Sequence, residues 1–135
     1  MTKQFRVLIV AALVFHALGL FILPELPFLF SPDTMELMKY GGHGARVNPS
    51  HPVLYVLYLL PYAALVGLYF FQRWARYLLL TFVFLLFIGG FFFGASISGP
   101  PETSVSLVVT LLDGAILALA FLSPLKDKFA NSSGG

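Results

Sequence analysis

The chain has 135 residues, of which 59% are hydrophobic and 10% charged, and 8 Lys and Arg against 6 Asp and Glu give it a formal charge of +2. So few charges exclude a disordered chain and a soluble globular surface, and so small a balance excludes a nucleic-acid footprint. With no cysteine there are no disulfides, thiolate metal centres, iron–sulfur clusters or cysteine nucleophiles, and a multi-pass membrane protein is the class that fits.

The first apolar stretch runs from about Phe5 to Leu23. Its basic start, Lys3 and Arg6, would suit a signal peptide. The apolar run, however, exceeds the usual core of about 7–15 residues, and Leu23-Pro24-Glu25-Leu26-Pro27 offers no small-residue cleavage site. An anchor that stays in place, stopped by Pro24 and Pro27, is expected.

Residues 24–51 form the one long connection. Within it, Ser31 to Gly42 reads as a short helix. Ser31 can cap it, Pro32 suits its first position, Asp33 complements the positive end of its dipole, and Gly41 or Gly42 supplies a left-handed stop. Met35, Leu37, Met38 and Tyr40 give it an apolar side that would lie on the outer membrane interface, as packing or as a docking surface or lid. His43 and His51 follow. With Glu25, Asp33 or Glu36 they could hold a divalent metal, but their eight-residue separation matches no standard ligand spacing, so they read as interfacial hydrogen-bonding groups.

Three more apolar stretches follow: about Pro52 to Phe71, Tyr77 to Ile97, and Ser104 to Ser123. Each is close to the roughly 20 residues that carry a helix across about 30 Å of hydrocarbon. Backbone groups in lipid must be satisfied internally, and the alternating segments of about 10 residues typical of a barrel do not occur. Pro61 should kink the second span. Gln72 to Arg76 reads as a tight turn and Ser98-Gly99-Pro100-Pro101 as a break. Short connections force antiparallel neighbours. The expectation is an all-α membrane protein: an antiparallel four-transmembrane-helix bundle with a short external amphipathic helix, one domain over residues 1–130 with a flexible tail at 131–135.

Lys3, Arg6, Arg73, Arg76, Lys126 and Lys128 fall on one side of that arrangement, and only Lys39 and Arg46 on the other. The bias points to both termini in the cytoplasm.

Two ionisable residues lie deep in the spans, His16 in the first and Asp113 in the fourth. A carboxylate at the bilayer centre costs about 2.5–3.5 kcal/mol, so Asp113 must face protein or water. Ser106, Thr110 and Asp113 share one helical face, as do Ile9, Ala12, His16 and Gly19. Tyr62 lies at similar depth on the second span, which suggests a buried network of His16, Tyr62, Thr110 and Asp113. Three roles stay open for it: glue between helices at about 0.6–2 kcal/mol per group, a contact to a partner subunit, and a proton, ion or small-ligand site.

Gly90 and Gly94 form a GxxxG pair, and Gly114 with Ala118 a small-xxx-small pair, either of which would let helices approach closely. The phenylalanines of the third span suit lipid, a quinone-like or sterol-like ligand, or a larger complex. No phosphate loop, His-x-x-x-His pair or nucleophile elbow occurs, and no second intramembrane histidine stands ready for haem. No enzyme activity, cofactor or metal is therefore expected.

The run Leu112-Asp113-Gly114-Ala115-Ile116-Leu117-Ala118-Leu119-Ala120-Phe121-Leu122-Ser123-Pro124-Leu125, with Arg73-Trp74-Ala75-Arg76-Tyr77, resembles uncharacterised small four-helix bacterial inner-membrane proteins of unknown function. That resemblance brings no activity. Small multidrug transporters carry their membrane carboxylate in the first span, where this chain has His16, and fluoride channels of similar size have dual topology, unlike this Lys/Arg bias. The expected role is an accessory or structural subunit of a larger membrane complex. Its partners would be the lipid bilayer and other membrane subunits or further copies of itself. The alternative is a small homo-oligomeric proton-coupled carrier or channel using Asp113 and His16.

Overall fold

The computed structural model describes residues 1–40, 44–46, 52–92 and 98–131, with side chains for all of these except residues 27, 52–55, 130 and 131. The described residues are helical, joined by turns. Helix α1 spans Thr2–Ala17 and continues without a break through a π-helical turn, Leu18–Ile22, and a 3₁₀ turn, Leu23–Glu25. Pro24 tolerates the 3₁₀ turn but cannot extend the α-helical ladder. A second 3₁₀ turn, Pro27–Leu29, leads to the short helix α2, Pro32–Met38. Ser31 Oγ accepts from the Thr34 N–H at 3.2 Å, and Pro32 occupies the first position, where its missing N–H costs nothing.

Helix α3 spans Pro52–Tyr69 and runs on through Pro61. Helix α4 spans Arg73–Gly89. Between them the chain reverses at Phe71, whose φ is +57°. The Gln72 N–H reaches back to the Gly67 carbonyl at 2.9 Å and the Phe71 N–H to the Leu68 carbonyl at 3.0 Å. This is a Schellman stop with phenylalanine in the left-handed position that usually takes glycine. The conformation costs about 1–2 kcal/mol. Burial of the Phe71 ring, 5.7 Å from Phe5 and 5.2 Å from Phe129, offsets it. Because the reversal is complete at Phe71, Arg73-Trp74-Ala75-Arg76 forms the first turn of α4 and not the connection.

Gly67 makes the α3–α4 hairpin tight. A Cβ there would stand 2.6 Å from the Ala75 Cβ and 3.0 Å from the Trp74 ring. Helix α4 then ends at Gly89-Gly90, earlier than the expected Ile97, because two consecutive glycines contribute little to helix continuation. The Phe92 carbonyl beyond it accepts from the Arg46 N–H at 2.8 Å, which ties the α2–α3 connection to this end.

Helix α5 spans Pro100–Leu122 and α6 spans Lys126–Asn131. The two prolines open α5; the break lies before them. Glu102 accepts from the Gly99 N–H at 3.1 Å and the Thr103 N–H bonds the Gly99 carbonyl at 2.9 Å. A Cβ on Gly99 would lie 2.5 Å from the Phe30 ring, so only glycine lets that buried ring rest on the start of α5.

Around the bundle α3 lies between α1 and α4, and α5 lies between α1 and α4. The core occupies one half of its length. Phe5, Ile9 and Ala12 of α1 meet Ala64, Leu65 and Leu68 of α3, Ala75, Leu79 and Phe82 of α4, and Ile116 and Ala120 of α5. Phe129 of α6 closes that end. Cations ring it. Arg6 sits 5.0 Å over Tyr69 and 5.6 Å over Phe71, and Arg76 lies 5.2 Å over Phe121. Lys128 lies 5.6 Å over Phe71 and donates to Thr2 Oγ1 at 2.7 Å.

Two helices among the described residues are long and apolar enough to cross a membrane. They are Thr2–Glu25, 24 residues with an 18-residue stretch of mean hydropathy 2.6, and Pro100–Leu122, 23 residues with an 18-residue stretch of mean hydropathy 2.4. Helices α3 and α4, of 18 and 17 residues, rise only about 25–27 Å at about 1.5 Å per residue. The expectation of four full-length spans therefore narrows to two long helices and two shorter ones.

Candidate functional site

Helical periodicity carries α1 from Phe5 through Ile9 and Ala12 to His16 on one face. The same logic carries α5 from Ala120 through Ile116 to Asp113. Packing one face on the other brings His16 and Asp113 together across 97 positions of sequence. The imidazole Nε2 lies 3.1 Å from Oδ2 and 3.4 Å from Oδ1 of the carboxylate. Both side chains are nearly buried, at 13% and 7% exposure. A neutral imidazole donates its Nε2–H and leaves the pair with one net negative charge, whereas a protonated imidazole makes the pair neutral.

Tyr62 joins this pair through its ring. The ring centroid lies 5.9 Å from that of His16 and 6.3 Å from that of Phe21. Its hydroxyl is buried and has no hydrogen-bond partner among the described residues. Thr110 turns its hydroxyl back to the Ser106 carbonyl at 2.8 Å, as threonines in apolar helices commonly do. The four residues thus comprise one hydrogen-bonded pair, a ring packed on it, and a threonine bonded to its own helix.

Above the pair the bundle opens. The core stops at the level of Ala12, Phe82 and Ile116, and a cavity of about 830 Å³ follows among α1, α4 and α5. His16 and Asp113 lie at its inner end, and Ser98 and Glu102 at the other. Phe15, Tyr58, Phe82 and Phe87 contribute aromatic surface, and Ser106 and Thr110 continue a polar line along α5 between the two carboxylates. The π-helical turn begins two residues after His16, and Gly19 and Leu20 of that turn line the same cavity. π-turns are rare and recur at functional sites.

The cavity, and the place of Glu102 in it, emerge only from the fold. The signal was its spacing: Glu102, Ser106, Thr110 and Asp113 recur at three or four residues, one helical face. The aromatic cap of Phe5, Phe71 and Phe129 emerges only there as well, and its signal in the sequence was a phenylalanine next to a cation near both ends of the chain, Phe5 with Arg6 and Phe129 with Lys128.

Of the four small residues of the two spacing motifs, the three that are described fall elsewhere than at helix contacts within the chain. Gly114 lines the cavity and a Cβ on it would meet nothing within 4 Å. Ala118 and Gly90 are exposed, and Gly94 lies outside the described residues. Among the described residues, the close approaches are at Gly67, Gly99 and Gly19 instead. On α2, Met35 and Leu37 are exposed and Met38 is half-buried, and Tyr40, in the turn after α2, is exposed. His43 and His51 lie outside the described residues, among which no group of three or more His, Cys, Asp and Glu is placed to hold a metal ion. No protein-family model, curated protein or solved structure matches this chain, so what the site does must be argued from its own geometry.

Proposed function

We propose that this chain is a four-crossing protein of the bacterial inner membrane, both termini cytoplasmic, that works as a small homo-oligomeric proton-coupled carrier or channel through His16 and Asp113. The observation that carries the reading is the position of the pair: two ionisable groups, midway along the two longest apolar helices, at the inner end of a cavity. Ionisable residues at such depth are costly and mark ion or proton pathways. The cation-ringed end, where the first turn of α1, the α3–α4 turn and α6 meet, supports a cytoplasmic placement. Tilt of the long helices and local thinning of the bilayer accommodate the shorter α3 and α4.

Reconstituted vesicles under an imposed membrane potential test the reading. Wild-type protein is expected to pass protons above the leak of empty vesicles, and Asp113→Asn, which keeps shape and hydrogen bonding but not ionisation, to return the flux to that leak. Equal flux through folded Asp113→Asn and wild type would remove the reading.

A second reading, an accessory subunit of a larger membrane complex, is favoured by the exposed apolar side of α2. Met35→Asp combined with Met38→Asp places two carboxylates on that side. If α2 docks another subunit, purification in mild detergent should recover that subunit in stoichiometric amount with wild type and much less with the double variant. Recovery of this chain alone from both would dispose of the accessory role.

A further inference from the structure

We infer that the cavity above the His16–Asp113 pair binds a lipophilic organic cation, an amine or quaternary ammonium on an aromatic or alkyl body, with its charged nitrogen against Asp113. The inference rests on the membrane-site reading and adds the class of ligand.

Charge is the first argument. The residues lining the cavity include two carboxylates, Asp113 and Glu102, and no lysine or arginine among the described residues. Glu102 already receives the Gly99 N–H at 3.1 Å, which fixes it as a helix cap. Among the described residues Asp113 has only the imidazole as a partner, and with His16 neutral the pair keeps one negative charge facing the cavity. A neutral quinone-like or sterol-like occupant would leave that charge unmet in an apolar site, and an anion would be repelled by both carboxylates.

The walls supply the second argument. Phe15, Phe82 and Phe87, with Tyr58, present aromatic surface to the cavity, and such rings attract a desolvated cation. A bare metal ion would need several oxygen or nitrogen ligands converging on one point. No such cluster occurs among the described residues.

Size is the third. A volume of about 830 Å³ falls within the roughly 300–1,000 Å³ of small-molecule sites. From Glu102 to Asp113 α5 rises about 16 Å, room for an elongated body with its cationic end inward.

Three probes sharing one benzyl body separate the possibilities: benzyltrimethylammonium, its uncharged isostere neopentylbenzene, and the anion phenylmethanesulfonate. Binding is measured to the protein in lipid nanodiscs, with retention by empty nanodiscs subtracted. The cation is expected to bind at least about tenfold more tightly than either other probe, a difference of about 1.4 kcal/mol. Asp113→Asn, eluting as a monodisperse folded species, is expected to lose that preference. In wild-type protein the cation should also slow labelling of Asp113 by dicyclohexylcarbodiimide, read by peptide mass spectrometry, while neopentylbenzene should not. This measurement holds even where the variant fails to fold. Equal binding of the three probes, a preference that survives in folded Asp113→Asn, or undiminished labelling overturns the inference. If the cation preference is absent while proton flux still depends on Asp113, the ligand class falls and the proton reading stands.

Discussion

Phe5→Ala is expected to lower the unfolding free energy by about 3–5 kcal/mol, the usual cost of deleting a buried aromatic ring. Phe5 is fully buried, with its ring 5.7 Å from Phe71 and 6.1 Å from Phe129. The first turn of α1, the left-handed stop after α3 and helix α6 all converge on this ring, so its removal leaves a void at the meeting point of three elements. It also loosens Phe71, over which Arg6 and Lys128 lie. Phe84→Ala is the control, because Phe84 is 63% exposed on α4 and its loss opens no void. Chemical or thermal unfolding in detergent should show a large shift for the first variant and a small one for the second. Equal shifts would mean that the aromatic cap does not hold the cation-ringed end together.

What the sequence makes legible here is what depends on local chemistry. Ser31 before Pro32, with its hydroxyl three residues ahead of the Thr34 N–H, specifies the start of α2 without any tertiary context. Depth and helical period together place His16 and Asp113 within reach of each other, since α1 and α5 are both long, apolar and antiparallel. The edges of α4 and α5 are less legible. A phenylalanine in the left-handed position hides the α3–α4 turn, because that conformation is affordable only where Phe5 and Phe129 bury the ring. Pro100-Pro101 looks like a break until Gly99 and Glu102 are seen to cap a helix that begins there. The cavity is not legible at all. It is formed by residues that α1, α3, α4 and α5 bring together from distant parts of the chain, and the interaxial geometry that decides this is a property of the whole bundle. Glycine spacing likewise marks where helices can touch; which glycine does, Gly67 and not Gly114, depends on the neighbour that arrives.

Replacing the two members of the pair singly and together should give opposite results. His16→Leu leaves the Asp113 carboxylate, 7% exposed, without its hydrogen-bond donor, and stranding a buried charge in this way costs about 3–5 kcal/mol. Asp113→Leu strands an imidazole donor, a neutral group when unprotonated, and should cost less, about 1–3 kcal/mol. The double variant His16→Leu with Asp113→Leu removes both members at once. No buried polar group is then orphaned, and the cavity beside Asp113 gives the larger leucine side chain room. Its stability should return close to that of wild type, so the two single effects are strongly non-additive. Unfolding of the four proteins in one detergent measures the coupling directly. Simple additivity would mean that the imidazole and the carboxylate do not depend on each other in the folded bundle. A stable double variant that no longer passes protons would separate the two roles: the pair would then be dispensable for holding α1 against α5 and required for what moves through the cavity above it.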